Sequence, residues 1–347
     1  MAWSADAVSL LQPDAGVVLG IDLKRILASP AASMLRSQME ESGLRMTAMK
    51  GMTDWDRLGI DIEQMLVSVS AREVARTGKL TPGTADSPPA LVLLKGQFNR
   101  AAMLKQLRGQ AVETIENIAL YAPPPEMNDK QDQRIAFLDS RTILAGDAGE
   151  VRAAIERRTA AEPAAPRKTL LARSAQLAAS NEVWMLIDLP PGALRNTSSD
   201  EMASKMLEDV RAVDLGLSLA SGLNLNMNLR TRSETAAQEM TGALQAMLAL
   251  GAMGQMEKPE VADMMRRVQI SQDVSSVRLS FNVDQESLER GIRQMRAGFS
   301  EGTVASGGAA PAPAAPREPP TPKRERNTIL IEGLENGPVE IPSSPRP

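Results

Sequence analysis

Two rows of polar residues in the second half of the chain are the best candidates for a recognition surface. One row comprises Asn224, Asn226, Asn228 and Arg230, and the other comprises Arg278, Ser280 and Asn282. Because every second residue is polar, each row would lie on one face of an extended strand. Adjacent amide and guanidinium groups can hydrogen-bond a polar ligand or the backbone of another protein. The competing interpretation is an ordinary solvated sheet face.

A cluster of acidic residues could supply oxygen ligands to a divalent cation. Its members are Asp54, Asp56, Asp61 and Glu63. The spacing lacks the third ligand of a calcium-binding loop, and capping of short helices explains the cluster better. We therefore expect no metal and no cofactor. A hydrolase that uses two carboxylates is a further alternative, but the sequence does not show which of its 43 acidic residues pair in space, so no catalytic residue is assigned.

Methionines recur at helical spacing late in the chain and could line an adaptable groove for an apolar helix or a lipid. They are Met240, Met247, Met253, Met256, Met264 and Met265. The alternative is that they fill the core, since aromatic residues make up only 2% of the chain.

Composition excludes several classes of function. The chain has neither cysteine nor histidine, which removes thiolate catalysis, disulfides, zinc sites built on His or Cys, and Ser-His-acid triads. A net charge of −4 at pH 7 argues against a nucleic-acid-binding protein, which needs a basic field. We expect no nucleic-acid partner.

The chain shows no sign of a membrane-spanning or signal segment. No run of 18 or more apolar residues occurs, so we expect no transmembrane helix. The first six residues lack the basic and apolar regions of a signal peptide.

The elements that must position the polar rows are two hairpins. Val213–Leu229 alternates apolar and polar residues on both sides of the turn at Ala220–Gly222, which predicts an antiparallel pair with one buried face. Val268–Ser271 and Val277–Val283 predict a second hairpin. A helix beginning at Ser233 can cover the apolar face. The polar rows should then face water together.

The chain divides at a Pro/Ala-rich stretch, Ala160–Lys168, into two halves with the same order of predicted elements. We expect an α+β protein of two similar halves, each an antiparallel sheet with helices packed on one face. One part of the second half also matches the first by position. Val277, Leu279, Asp284 and Ile292 align with Val92, Leu94, Asn99 and Leu107. The alternative is one continuous α+β domain.

The C-terminal segment is different in character. Residues 300–326, mainly Ala, Pro, Gly and Ser, predict a disordered linker. The following stretch, 327–347, contains two short apolar runs around Asn336-Gly337, which predicts a β-hairpin. Such a hairpin is marginal alone, so we expect it to dock by strand addition on a sheet edge, its own or a partner's. The docking residues would be Ile329, Ile331, Val339 and Ile341.

The opening Leu10-Leu11-Gln12-Pro13-Asp14-Ala15, running into an apolar strand, resembles the starts of uncharacterised bacterial envelope proteins. Those proteins begin Leu-Leu-Pro-x-Asp and have a duplicated α+β body; here Gln12 interrupts the pattern. The resemblance implies an exported protein, periplasmic or otherwise extracytoplasmic, with a cytoplasmic location as the alternative. It carries no site residue over.

Taken together, the sequence predicts a first half at 1–160, a second at 169–299, the linker and the hairpin. The expected function is that of a non-enzymatic binding or scaffold protein of the bacterial envelope, with a protein partner bound through the C-terminal hairpin. The alternatives are a carrier for a lipid or other apolar ligand and the carboxylate-dependent hydrolase.

Overall fold

The computed structural model describes residues 3, 5–34, 60–80, 88–107, 111–123, 132–160, 166–190, 207–254, 264–290, 328–331 and 339–342. The chain forms two compact units, Met1–Gln294 and Met295–Pro347. Several predicted features lie outside the described residues: Asp54, Asp56, Met256, Ile292 and the linker at 300–326.

The first half contributes strands and short helices in alternation. The strands are β1 (Ala15–Asp22), β2 (Ile60–Ser70), β3 (Ala90–Phe98), β4 (Glu113–Ile115), β5 (Ile118–Tyr121), β6 (Gln133–Phe137) and β7 (Thr142–Asp147). The helices are α1 (Ala5–Ser9), α2 (Leu23–Ala28), α3 (Ala71–Thr77), α4 (Arg100–Gln106) and α5 (Ala148–Thr159).

The second half begins with helix α6 (Lys168–Ser180). The strands that follow are β8 (Val183–Asp188), β9 (Val210–Ser218), β10 (Gly222–Thr231), β11 (Val268–Asp273) and β12 (Ser276–Asp284), with helix α7 (Glu234–Gly254) between β10 and β11. Both predicted hairpins are therefore present, and Ser233 caps α7 by accepting a hydrogen bond from the Ala236 backbone N–H at 3.1 Å.

The strands of the larger unit form one antiparallel sheet of twelve strands, in the order β11-β12-β10-β9-β8-β1-β2-β3-β7-β6-β5-β4. The α+β class is as predicted. The two expected sheets, however, are one continuous sheet, because β1 pairs with β8 from Val17–Ile187 to Ile21–Val183. The division of the chain into halves at 1–160 and 169–299 stays a prediction.

Helices cover both faces of this sheet, which corrects the expectation of helices on one face. Helices α1, α5 and α6 pack on a first core, in which Leu93 and Leu186 are fully buried. Helices α3 and α7 pack on the opposite face, around Val17 and Val277. Helix α4 lies on that face too, against Ile143 and its neighbours. We call these the α6 face and the α7 face.

Local backbone geometry sets the ends of two strands in the first half. Strand β2 stops at Ser70, whose hydroxyl accepts from the Glu73 N–H and begins α3. The stretch Thr114–Tyr121 is a hairpin and not one strand, since Glu116 and Asn117 adopt positive φ values of 49° and 64°. Positive φ at both central residues defines a tight hairpin turn that usually contains Asn or Gly. Glutamate at the first position conceals it.

A buried ion pair joins the two halves beside the β1–β8 pairing. The guanidinium of Arg25, on α2, lies 2.5 Å from the Glu182 carboxylate, whose side chain is 3% exposed. The same carboxylate accepts from the Leu219 N–H at 2.6 Å. Arg25 also donates to the Ala178 carbonyl at 3.1 Å. One arginine of the first half thus holds the start of β8 and the end of α6.

Candidate functional site

Strand pairing brings the two predicted polar rows side by side. In the β10–β12 ladder, Asn224 lies opposite Asn282 and Asn228 lies opposite Arg278. Directly opposed residues on antiparallel strands share one face, with their Cβ atoms about 5 Å apart. We call this group the polar sheet face: Asn224, Asn226, Asn228, Arg230, Arg278, Ser280 and Asn282.

The polar sheet face is open to water, as the sequence predicts. Asn226, Arg278 and Asn282 are exposed, whereas Asn224, Asn228 and Arg230 are half-buried. The opposite side of β10 carries the apolar residues, of which Met227 and Leu229 pack with α7. The twofold alternation of the sequence therefore sorts these residues correctly.

A charged network that the sequence did not reveal forms one border of this face. Asp214 on β9 lies opposite Asn228 and is bound by the guanidinium of Arg173 from α6. Arg230 also approaches Asp214, at 3.2 Å, and Arg173 donates to Asp188 at 3.1 Å. Arg173 lies 41 positions from Asp214, so no local pattern pairs them. The network holds Arg230 in place at the edge of the face.

Two polar atoms within the face are buried without a hydrogen-bond partner. They are the side-chain oxygen of Asn228 and the Nε of Arg230. Buried polar groups are normally paired, because an unmade hydrogen bond leaves the cost of losing water uncompensated. One acceptor and one donor, two positions apart on β10, are thus left without a partner among the described residues.

On the side of the face next to β11, the charged residues are held by weaker contacts. Arg278 lies 3.7 Å from Asp273 on the neighbouring strand β11, and both side chains are more than half exposed. An exposed pair at this distance contributes little to stability. Arg278 can therefore exchange this contact for a partner's carboxylate at small cost.

The acidic cluster does not assemble as a metal site within the described residues. Asp61 is exposed on β2, and the Glu63 carboxylate is engaged by Arg141 at 2.9 Å and Lys24 at 3.8 Å. Among the residues that the structure describes, no three His, Cys, Asp or Glu side chains form a group that could hold a metal ion.

The methionines of the late helices separate into core and surface. Met240 is buried against the sheet, whereas Met247, Met253 and Met264 are at least half exposed. Met265 approaches Gly251 of α7. The core interpretation thus holds for Met240, and the exposed three lie on the surface.

An apolar cavity of about 300 Å³ lies elsewhere, under α1 and α6 on the α6 face. Its walls include Trp3, Leu11, Leu66, Leu171 and Trp184, so two of the three tryptophans line it. Trp184 is 3% exposed and lies on Gly20, where a Cβ would come within 2.3 Å of the indole. The residues did not suggest this site, because its walls come from distant segments.

The C-terminal unit contains the predicted hairpin. Strand β13 (Thr328–Ile331) pairs with β14 (Val339–Pro342), with Ile329 opposite Ile341 and Ile331 opposite Val339. Docking of the hairpin on a sheet edge through these four residues stays a prediction.

Comparisons with known proteins yield a structural likeness alone. No protein-family model and no curated protein matches the chain. Solved structures of TP0453 in crystal forms III, I and IV match with TM-scores of 0.43, 0.40 and 0.37, at identities of 10%, 9% and 10%. The matches cover 83% of this chain and 98%, 97% and 97% of the other. A likeness at this level assigns no ligand, partner or activity. Among the described helices, none is long and apolar enough to span a membrane.

Proposed function

We propose that this protein is a non-enzymatic binding or scaffold protein of the bacterial envelope, which holds a protein partner on the polar sheet face. The observation that carries the proposal is the pairing of Asn224 with Asn282 and of Asn228 with Arg278 on an open sheet face. Rows of amides and an exposed arginine suit the carbonyl and carboxylate groups of a protein surface.

The envelope location in this proposal is supported by the resemblance carried by Leu10–Ala15. Fractionation of the native cell tests it: the protein is expected with the envelope fractions and absent from the cytoplasm. Recovery in the cytoplasm alone would contradict the location and leave the binding surface untouched.

Site-specific photo-cross-linking in the native cell tests the binding surface. A photoreactive residue at Asn226 should give a discrete adduct, and the same residue at Glu239, exposed on α7, should not. Arg278→Glu in the Asn226 background should abolish the adduct because it reverses the charge of the face. An adduct that persists with Arg278→Glu, or none at Asn226, would overturn the proposal.

The C-terminal hairpin is proposed as a second contact with the partner. Deleting 300–347 should leave the melting temperature of the larger unit unchanged, since those residues lie within the other unit. The yield of the Asn226 adduct should fall. An unchanged yield would remove the hairpin from the proposal.

A duplicated body is also part of the proposal, supported by the strand order. When the β4–β5 hairpin is set aside, the first half runs β1, β2, β3, β7, β6 outward from the β1–β8 pairing, and the second half runs β8, β9, β10, β12, β11. In each half, the last two strands along the chain thus exchange places in the sheet. This order makes β12 the counterpart of β7. The residue match noted in the sequence aligned β12 with β3 instead, so the two correspondences differ.

A carrier for an apolar ligand is a second candidate, favoured by the 300 Å³ cavity. Pockets for small ligands span about 300–1,000 Å³, so one small apolar molecule would fill it. Titration with 1-decanol should change tryptophan emission saturably, and Ala178→Leu, which fills the cavity from α6, should remove the change. Identical titrations of both proteins would reject this candidate.

The carboxylate-dependent hydrolase gains no such support. Asp14 and Asp188 line one cleft, but Asp14 accepts from the Ser70 hydroxyl at 2.6 Å and Asp188 accepts from Arg173. Both carboxylates already have partners, which disfavours either as a free acid or base.

A further inference from the structure

A cleft of about 660 Å³ lies where several segments of the two halves converge. Arg72 is in the first turn of α3, Arg167 precedes α6, and Arg211 is near the start of β9. These three arginines line the cleft together with Asp14 and Asp188. They are far apart in sequence, so only the tertiary structure assembles them.

The carboxylates of the cleft are already engaged. Asp14 accepts the Ser70 hydroxyl. Asp188 lies 3.1 Å from Arg173, which stands outside the cleft lining, and 3.5 Å from Arg167. Neither carboxylate is paired with Arg72 or Arg211.

Arg72 and Arg211 are the unusual members of the group. Both are exposed, and neither guanidinium makes a hydrogen bond or ion pair within the part of the chain that the structure describes. Arg72 also lies in the first turn of α3, where a cation faces the positive end of the helix dipole. Its position is therefore not explained by local stability.

The resulting charge is opposite to that of the whole protein. The chain carries a net charge of −4, yet this cleft has more guanidinium than carboxylate groups. A guanidinium presents its N–H donors in a planar fork that matches phosphate and carboxylate oxygens. The lining is completed by Pro13, Ala71, Leu189 and Pro190, which offer an apolar wall to the organic part of such a ligand.

We propose that this cleft binds the phosphate group of an anionic ligand, with Arg72 and Arg211 as its principal contacts and Arg167 as a third. The phosphate belongs either to a free small molecule or to a lipid headgroup, which present the same oxygens. The cleft and the polar sheet face have no lining residue in common, although Arg173 contacts Asp188 of the cleft and Asp214 beside the face. The ligand proposed for the cleft does not depend on the partner proposed for the face.

Calorimetric titration of the full chain with inorganic phosphate and with glycerol 3-phosphate tests the site. Wild type should bind saturably, and Arg72→Ala/Arg211→Ala should bind about tenfold or more weakly, the equivalent of losing at least one charged contact. Sedimentation with phosphatidylglycerol vesicles, against phosphatidylcholine vesicles, distinguishes the sources. Binding to the anionic vesicles identifies a headgroup, and binding in solution alone identifies a free phosphate.

The control is Arg76→Ala/Arg232→Ala, which removes the same charge. Both control arginines are exposed but already paired, with Glu73 at 2.8 Å and Asp209 at 2.8 Å. The control should bind as wild type does. If the control binds as weakly as Arg72→Ala/Arg211→Ala, the loss of binding reflects the general charge of the protein and the proposed site is wrong. The proposal is also wrong if wild type binds neither inorganic phosphate, nor glycerol 3-phosphate, nor the anionic vesicles in a saturable way. Circular dichroism of each variant ensures that the comparison is made between folded proteins.

Discussion

On the α6 face, β2, β3 and β7 present Leu66, Leu93 and Leu144, each at most 1% exposed, whereas β10 presents asparagines to water on that same face. The sheet is continuous between the two regions. What differs is the helix cover: α1 and α5 pack over the first region, and α6 lies above β8 and the near side of β9. Where the helices end, polar strands are tolerated.

The covering helices therefore decide which part of this sheet face is buried, while the alternation along each strand decides which side chains it presents there. The ion pair between Arg173 of α6 and Asp214 of β9 lies at the border between the two regions. Five substitutions test how this dry region, under α1 and α5, differs from the wet region of the polar sheet face, beginning with the greatest expected loss of stability.

Leu93→Ala in the dry region should cause the largest loss of stability. Leu93 is fully buried, so truncation loses transfer free energy and leaves a cavity, at a cost of about 2–5 kcal/mol. Urea unfolding followed by circular dichroism measures this. A loss below about 1 kcal/mol would mean that the first core is not close-packed.

Glu182→Ala should cost about 2–3 kcal/mol, because Arg25 and the Leu219 N–H both lose a charged partner. The matched control is Glu73→Ala, which breaks an exposed ion pair with Arg76 and should cost about 0–1 kcal/mol. Urea unfolding compares the two. Equal costs would show that the pair joining the halves is not effectively buried.

Glu150→Gln should raise stability slightly at neutral pH. Burial is the main cause that raises the pKa of Glu150, the Gln12 side chain and Arg157 oppose the shift, and the nearby Asp14 and Asp147 add to it. Because the folded pKa exceeds the unfolded one, ionisation of Glu150 costs stability as pH rises through that interval. The gain in melting temperature of the variant should be present at pH 7 and absent at pH 4.

Glu113→Gln is the control of opposite sign. The hydrogen bond from Arg152 lowers the pKa of Glu113, so its contribution to stability is present above the unfolded pKa and is lost as pH falls. This variant should melt below wild type at pH 7 and converge with it in acid. Two variants with the same pH dependence would contradict both assignments.

Asn226→Ala in the wet region should have the smallest effect, within about 0.5 kcal/mol of wild type. Asn226 is exposed, so its truncation removes little buried contact. Urea unfolding again provides the measurement, and a loss comparable with that of Leu93→Ala would show that the polar sheet face is structural rather than available for binding.

Regular alternation made the polar sheet face predictable. In Val213–Leu229 and Val277–Val283, the alternation of apolar and polar residues predicts which side of each strand is buried, because successive side chains of a strand point to opposite faces. Two helix caps also depend on near neighbours alone. Asn99 accepts from the Ala102 N–H at 3.1 Å, and Asp284 accepts from the Ser287 N–H at 2.8 Å, which lowers the pKa of Asp284 to about 2.

Local patterns failed where a distant residue competes for a side chain. Asp147 and Glu150 have the spacing of a capping box, yet Asp147 makes no side-chain cap and accepts from the Ala90 N–H at 3.0 Å instead. Gln12, which interrupts the opening motif, is 2% exposed because its side-chain oxygen accepts from the Ser68 hydroxyl at 2.8 Å. Both partners belong to other strands.

By itself, the sequence determined the α+β class, the hairpins and the exposed side of β10, since these depend on interactions between near neighbours and on a period of two. Only the tertiary structure decided that the halves share one sheet, that helices cover both faces, and that Arg72, Arg167 and Arg211 meet in one cleft. Such contacts join residues tens of positions apart, and their formation depends on loop closure and shared burial, which no local period encodes.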